Sequence, residues 1–215
     1  MKFTLTYDGP LPASANKPKK RDKWDIRKKI DPQLRDLWAS HPGMKVLADV
    51  RHFPKKGGAF LMQTHHLHPG PITPPPMTMP QANQEIIDLC EPIEKHGAWF
   101  LPVVRESFAL HCGLKILFLR HEPPGKIYQG GDIDGRIKTL LDALSMPQHA
   151  EQILDKTTFH NPINCLVEDD SLISGLNVET ERLLAPDNSA PNFVRLIIEV
   201  DVRVKSATIY NQSFL

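Results

Sequence analysis

The stretch DIDGRIKTLLDAL, residues 132–144, decides how this chain is read. Ile137, Leu140, Leu141 and Leu144 recur at i, i+3, i+4 and i+7, which predicts an amphipathic helix from about Asp134 to Leu144 with one buried stripe. Asp132 and Asp134 then stand at its N-terminal end. There a carboxylate gains roughly 0.3–1 kcal/mol from the helix dipole, and Asp134 is placed to act as N-cap. A cap uses one carboxylate and leaves the other for different work. Carboxylates in this arrangement supply the oxygen ligands that a hard divalent cation such as Mg²⁺ takes. Lys138, one turn beyond Asp134, is in reach of an ion pair with it, worth roughly 0.2–0.5 kcal/mol, or of a phosphate.

A second acidic run, Glu168-Asp169-Asp170-Ser171, follows the apolar Leu166-Val167 and precedes Leu172-Ile173. Like charges this dense repel by about 1 kcal/mol per close pair unless a cation or solvent neutralises them. Taken alone, the run is explained by Asp169 or Asp170 capping a following turn while the rest is solvated. Taken with Asp132 and Asp134, it points to metal-assisted phosphoryl-transfer chemistry on a polyanion.

These residues resemble the core motif of the RusA-like Holliday junction resolvases. In that family Asp-x-Asp-Asn-x-x-Lys runs into an Asp-Ala-Leu helix, and an acidic segment ending in Asp-Asp follows. The matching residues here are Asp132, Asp134, Lys138, Asp142-Ala143-Leu144 and Glu168-Asp169-Asp170. The opening Thr6-Tyr7-Asp8-Gly9-Pro10-Leu11-Pro12-Ala13-Ser14-Ala15-Asn16 is similar to the family's first strand and its Pro/Ser/Asn turn. The resemblance implies an α+β fold, a mixed β-sheet flanked by helices, as one domain over 1–215 with insertions at about 50–105 and 145–166.

It further implies that Asp132, Asp134 and Asp170 ligate one or two Mg²⁺, with Mn²⁺ as a substitute and Asp169 as the neighbouring ligand. Lys138 would orient the attacking water or stabilise the leaving oxygen. The implied activity is that of an endodeoxyribonuclease acting as a homodimer on branched DNA, in recombination and repair. Gly135 stands where the family carries Asn, and the interval from Leu144 to Glu168 is longer than the family's. Two other expectations stay open: a non-catalytic nucleic-acid-binding or interaction protein on the same scaffold, and a nuclease of another substrate in mobile-element or defence biology.

The formal net charge of +1 conceals an asymmetry. The first 60 residues hold 14 Lys/Arg against 6 Asp/Glu, and the remainder holds 12 against 19. A basic part set against an acidic body is a nucleic-acid signal. Its focus is Lys17, Lys19, Lys20, Arg21, Lys23, Arg27, Lys28 and Lys29 around Trp24. Phosphate contacts from these cations, with Trp24 stacked on an exposed base, are one expectation. The plainer one packs Trp24 and Ile26 on the core and leaves the lysines solvated.

The remaining pattern bounds the class. With 40% hydrophobic residues in 215, the chain can bury a good core. No run of 18 apolar residues and no signal-peptide core occurs, so a soluble, cytoplasmic protein without membrane contact is expected. Cys90, Cys112 and Cys165 are isolated and odd in number, against a disulfide framework or a cysteine zinc site. His65-His66-Leu67-His68 reads as an exposed histidine cluster before a metal tract, and Gly130-Gly131 as a turn into the helix.

Alternation predicts strands over Lys2–Tyr7, Trp99–Val104 and Leu114–Arg120. It is clearest from Val194 to Lys205, where one face only is apolar, as in antiparallel or edge-facing sheets. A helix is predicted to begin at Asp31-Pro32, with Pro at N1, and to stop at His41-Pro42-Gly43. A strand is expected over Phe60–His68, a proline-rich connector over Pro69–Pro80, and a helix over Ala82–His96 that ends at Gly97.

Overall fold

The most regular alternation in the chain becomes an interior strand of its main sheet, antiparallel to both neighbours as one of its two expected settings required. The computed structural model describes residues 1–13, 20–49, 52–54, 86–88, 91–121, 133–154, 162–184, 192–207 and 211–214. Within them the strands are Lys2–Pro10 (β1), His52–Pro54 (β2), Ile86–Asp88 (β3), Ile93–Lys95 (β4), Ala98–Val104 (β5), Leu110–Arg120 (β6), Ile163–Val167 (β7), Ile173–Arg182 (β8) and Phe193–Val204 (β9). The α-helices are Lys20–Ser40 (α1), Pro42–Asp49 (α2) and Ile133–Leu144 (α3).

β9 pairs antiparallel with β1 and with β6, and β8 adds in parallel beyond β6, giving the order β1-β9-β6-β8. A second mixed sheet has β5 at its centre, antiparallel to β4 and parallel to β7. β2 and β3 form a separate antiparallel pair. The fold is therefore α+β with mixed sheets, as expected. The inner face of the main sheet carries Leu114, Ile116, Phe118, Leu196, Ile198 and Val200, all buried. Against that face pack Ile26, Ile30 and Leu34 of α1 and Ile137, Leu140 and Leu144 of α3, each at helical spacing.

Two predicted helices need correction. α1 starts eleven residues before the expected Asp31-Pro32, and Pro32 lies inside it. The missed part is the basic segment, whose charges obscure the apolar spacing of Ile26 and Ile30. Asp31, expected near a cap, is buried: its Oδ1 accepts from the Asn164 backbone N (2.6 Å) and Nδ2 (2.9 Å), tying α1 to β7. Proline does open a helix two residues after α1 ends, at Pro42, where Gly43 N donates to His41 Nδ1 (3.2 Å).

The helix expected over Ala82–His96 is instead β3 and β4. Pro92 forbids a continuous helix, and Ile86, Ile87 and Ile93 are β-branched. His96 and Gly97 both take positive φ (53° and 70°), the geometry of a two-residue hairpin turn whose twist matches the strands it joins. β5 lies within the stretch expected to be an insertion, yet Phe100, Val103 and Val104 are fully buried. The expected strand Phe60–His68, with its histidines, the connector Pro69–Pro80 and Gly130-Gly131 lie outside the described residues.

At the end of β1, Tyr7 folds back so that its hydroxyl donates to Pro10 O (2.8 Å) over Gly9. A Cβ at Gly9 would sit 2.6 Å from that hydroxyl oxygen and 2.9 Å from Tyr7 Cζ, so a larger residue here would displace the end of the Tyr7 ring. The Tyr-Asp-Gly-Pro string is thus a packing device that sets the exit of the first strand.

Candidate metal centre and nucleic-acid interface

α3 forms as its spacing predicts, and its burial sorts the motif. Arg136, Ile137, Thr139, Leu140, Ala143 and Leu144 are buried, whereas Asp134 in the first turn and Lys138 one turn later are exposed. Asp132 lies outside the described residues. The first turn is anchored by Arg136, whose Nη2 donates to Asn192 Oδ1 (3.0 Å) just ahead of β9. Asn192 takes a positive φ of 60°, and its carbonyl accepts from Leu11 N (2.9 Å). The end of β1, the start of β9 and the start of α3 are therefore joined at one corner.

The other end of α3 is held by the basic segment. Arg27 is 1% exposed, and its Nη2 donates to the carbonyls of Asp142 (2.6 Å) and Ser145 (3.0 Å). These carbonyls belong to the last turn, which has no intrahelical donors for them, and a cation suits that end of the dipole. Burial lowers the Arg27 pKa to about 10, with the nearby Cys165 and Asp142 acting against that shift. Lys23 Nζ bonds the Asp142 carboxylate.

The base stacking expected of Trp24, and the phosphate contacts expected of Lys23 and Arg27, are corrected accordingly. Trp24 is 1% exposed and packs with Ala98, Phe100, Met146, Ile163 and Cys165, so it offers no face to a base. Arg21 and Lys28 pair with Asp25 (3.8 and 3.7 Å), and Lys29 Nζ donates to the Asp8 carbonyl while lying 5.2 Å from the Tyr7 ring centroid. Lys23 and Arg27 are thus engaged inside the fold, while Arg21 and Lys28, in exposed pairs of little energetic weight, keep their charge at the surface. Lys17 and Lys19 lie outside the described residues, and Lys20 opens α1.

The second acidic run sits where β7 ends, and α3 is joined to that point through a bridge between Ser145 and Val167 and a bond from Met146 N to Val167 O (3.2 Å). Asp169 acts as a cap: its Oδ1 accepts from Ser171 N (3.0 Å) and its Oδ2 from Gln148 Nε2 (2.9 Å). These bonds, those to Ser171 foremost, hold its pKa below the usual carboxylate value. Asp169 is thus a turn cap, and each of its oxygens accepts one hydrogen bond from the chain. Glu168 Oε2 accepts from Glu106 N (3.1 Å), and Asp170 is exposed.

The contacts that fix the two acidic runs lie at opposite ends of β6. Arg136 is held beside Asn192, next to the Val194–Arg120 pair, while the turn carrying Asp170 runs into Ile173, which pairs with Cys112. Among the described residues no three His, Cys, Asp or Glu side chains gather as a metal site, so a centre of three carboxylates on this chain requires Asp132. The donor chemistry of Asp134 and Asp170, exposed carboxylate oxygen, does suit Mg²⁺.

Of Arg136, Asp142 and Gln148, which fix the motif in place, the sequence pointed only to Asp142, as part of the Asp142-Ala143-Leu144 match. Their partners are 56, 119 and 21 residues away, and only the position of Arg136 beside the apolar stripe hinted at burial. No family model, curated protein or solved structure matches this chain. Among the described residues no helix is long and apolar enough to cross a membrane.

Proposed function

We propose that this chain is a metal-dependent, structure-specific endodeoxyribonuclease of the RusA-like class, acting in the cytoplasm as a homodimer on branched DNA such as Holliday junctions. The observation that carries this reading is the sorting of α3: its apolar stripe is spent on the core, while Asp134 and Lys138 are left together on the solvent side. Asp132 and Asp134 would hold Mg²⁺, or Mn²⁺ in its place; Asp170, anchored at the other end of β6, would serve apart from that pair. When bound, the metal supplies Lewis-acid neutralisation of charge on the phosphate and acidifies the attacking water. Lys138 brings an ammonium to the same helix face, where it offsets charge on the leaving oxygen. A two-fold dimer would present two such sites to a branched duplex that is itself two-fold.

A second reading is a non-catalytic interaction protein on the same scaffold. It is favoured by the anchoring of the two acidic runs at opposite ends of β6. Asp134→Asn and Asp170→Asn decide between the two. The nuclease reading expects each to abolish metal-dependent cleavage while junction binding is kept or tightened. Junction binding equal in EDTA and Mg²⁺, with no cleavage by the unaltered chain, selects the second reading.

A further inference from the structure

The two edges of the main sheet differ in what covers them. Along β1, side chains of α1 occupy the outward main-chain groups. Thr6 N donates to Gln33 Oε1 (2.9 Å), Gln33 Nε2 donates to Thr6 O (2.8 Å), and Lys29 Nζ donates to Asp8 O. That edge is blunted against a further strand. At the opposite edge β8 pairs with β6 alone among the described residues, and Gly175, Leu176, Asn177, Glu179, Glu181 and Arg182 are exposed. β8 runs for 10 residues with neither proline nor lysine, the residues that commonly guard an edge.

The register identifies which groups are unused. Leu183 N donates to Arg120 O (2.7 Å), and Arg120 stands opposite Arg182 in the parallel ladder. Beyond the register shift at Cys112/Gly113, the odd-numbered residues of β8 therefore turn their N–H and C=O groups to β6. Those of Leu176, Val178, Thr180 and Arg182 point outward. A strand added there must present its own outward groups at the same spacing, and β8 of a second copy, run antiparallel about a two-fold axis, does so by symmetry. Since even-numbered residues must face even-numbered ones, the axis passes through a residue of β8 and not between two.

The side chains choose the residue. An axis through Glu179 sets that carboxylate against its own copy, and one through Thr180 sets Glu179 against the partner's Glu181; like charges directly opposite destabilise a pair. An axis through Asn177 carries the pairing into the register shift. An axis through Val178 opposes no like charges: Asn177 meets the partner's Glu179, and Lys115, beside Asn177 in the ladder, brings an ammonium to the same row. On the other face Leu176, 47% exposed, and Val178, packed on the main core, are brought to their counterparts and lose water. We propose that β8 pairs antiparallel with β8 of a second copy about a two-fold axis at Val178, joining the two main sheets into one. That the chain dimerises rests on the reading proposed above; the surface it uses is argued from β8 alone.

The test is sedimentation equilibrium of the full chain, with amide hydrogen exchange read residue by residue above and below the dissociation constant. A monomer–dimer equilibrium is expected. In the dimer the amides of Leu176, Val178 and Thr180 should slow at least tenfold, and those of Asn177 and Glu179, already bonded to β6, far less. Thr180→Pro removes one outward N–H and spares the ladder to β6. Asn177→Glu sets a carboxylate against the partner's Glu179, while beside Lys115 it loses nothing within its own chain. Each should raise the dissociation constant at least tenfold; if Thr180→Pro lowers Tm, the exposed Asn177→Glu decides. A dimer unaffected by Asn177→Glu, or outward amides that exchange alike at both concentrations, overturns this interface and leaves the dimer to another surface. A monomer at every concentration overturns interface and dimer together, and metal-dependent cleavage by that monomer would leave the nuclease reading standing.

Discussion

Replacing Trp24 by Phe distinguishes a core tryptophan from a nucleic-acid contact. Trp24 is 1% exposed in the smaller apolar cluster, between α1 and the second sheet. Phenylalanine is smaller by roughly 40 Å³, which at about 24 cal/mol per Å³ of unfilled cavity costs about 1 kcal/mol, and the lost transfer term is of similar size. A total near 2 kcal/mol lowers Tm by about 4–8 °C in a domain of this length. Denaturant titration should show a lower midpoint with an unchanged slope. DNA affinity of the folded variant, and its salt dependence, should match the unaltered chain. Stability within about 0.5 kcal/mol of the original, accompanied by weaker DNA binding, would refute the burial argument.

Three further outcomes follow from named contacts. Asp31→Ala leaves the buried Asn164 N and Nδ2 without their acceptor, and should cost about 3 kcal/mol by denaturant titration, with Asp31→Asn recovering part of the loss. Burial pushes the Cys112 and Cys165 thiols up to about 12, so at mildly alkaline pH neither should be alkylated before unfolding, as peptide mapping would reveal; rapid native labelling would contradict their placement. Asp169 has a folded-state pKa below its ordinary 3.8, so its contribution is present above that value and is lost as pH falls below it. Asp169→Ala should therefore lower Tm at neutral pH, and the gap should close in acid.

What the sequence revealed and what it concealed follow from the range of the forces involved. The strands over Lys2–Pro10, Leu110–Arg120 and Phe193–Val204 alternate strictly because one face is buried and the other is wet, and period two survives in the residue string. α3 was legible for the same reason at period 3.6. The start of α1 was not, because Lys23, Trp24 and Arg27 are ordered by Asp142, Ser145 and the second cluster, all distant in sequence. β8 escaped notice because an edge strand exposed on much of both faces carries little alternation. At the candidate site, local spacing placed Asp134 and Lys138 on one helix face. Asp169 was separated from Asp170 only by its bonds to Ser171 and Gln148.

The central claim is metal-dependent cleavage at the helix face of Asp134 and Lys138. Its most direct test incubates the purified chain and its Asp134→Asn variant with a labelled four-way junction, the matched linear duplex and a single strand, in Mg²⁺, in Mn²⁺ and in EDTA. Paired nicks are expected in the junction with either metal, none in EDTA and none from the variant. Binding of the junction without cutting under every condition would contradict it.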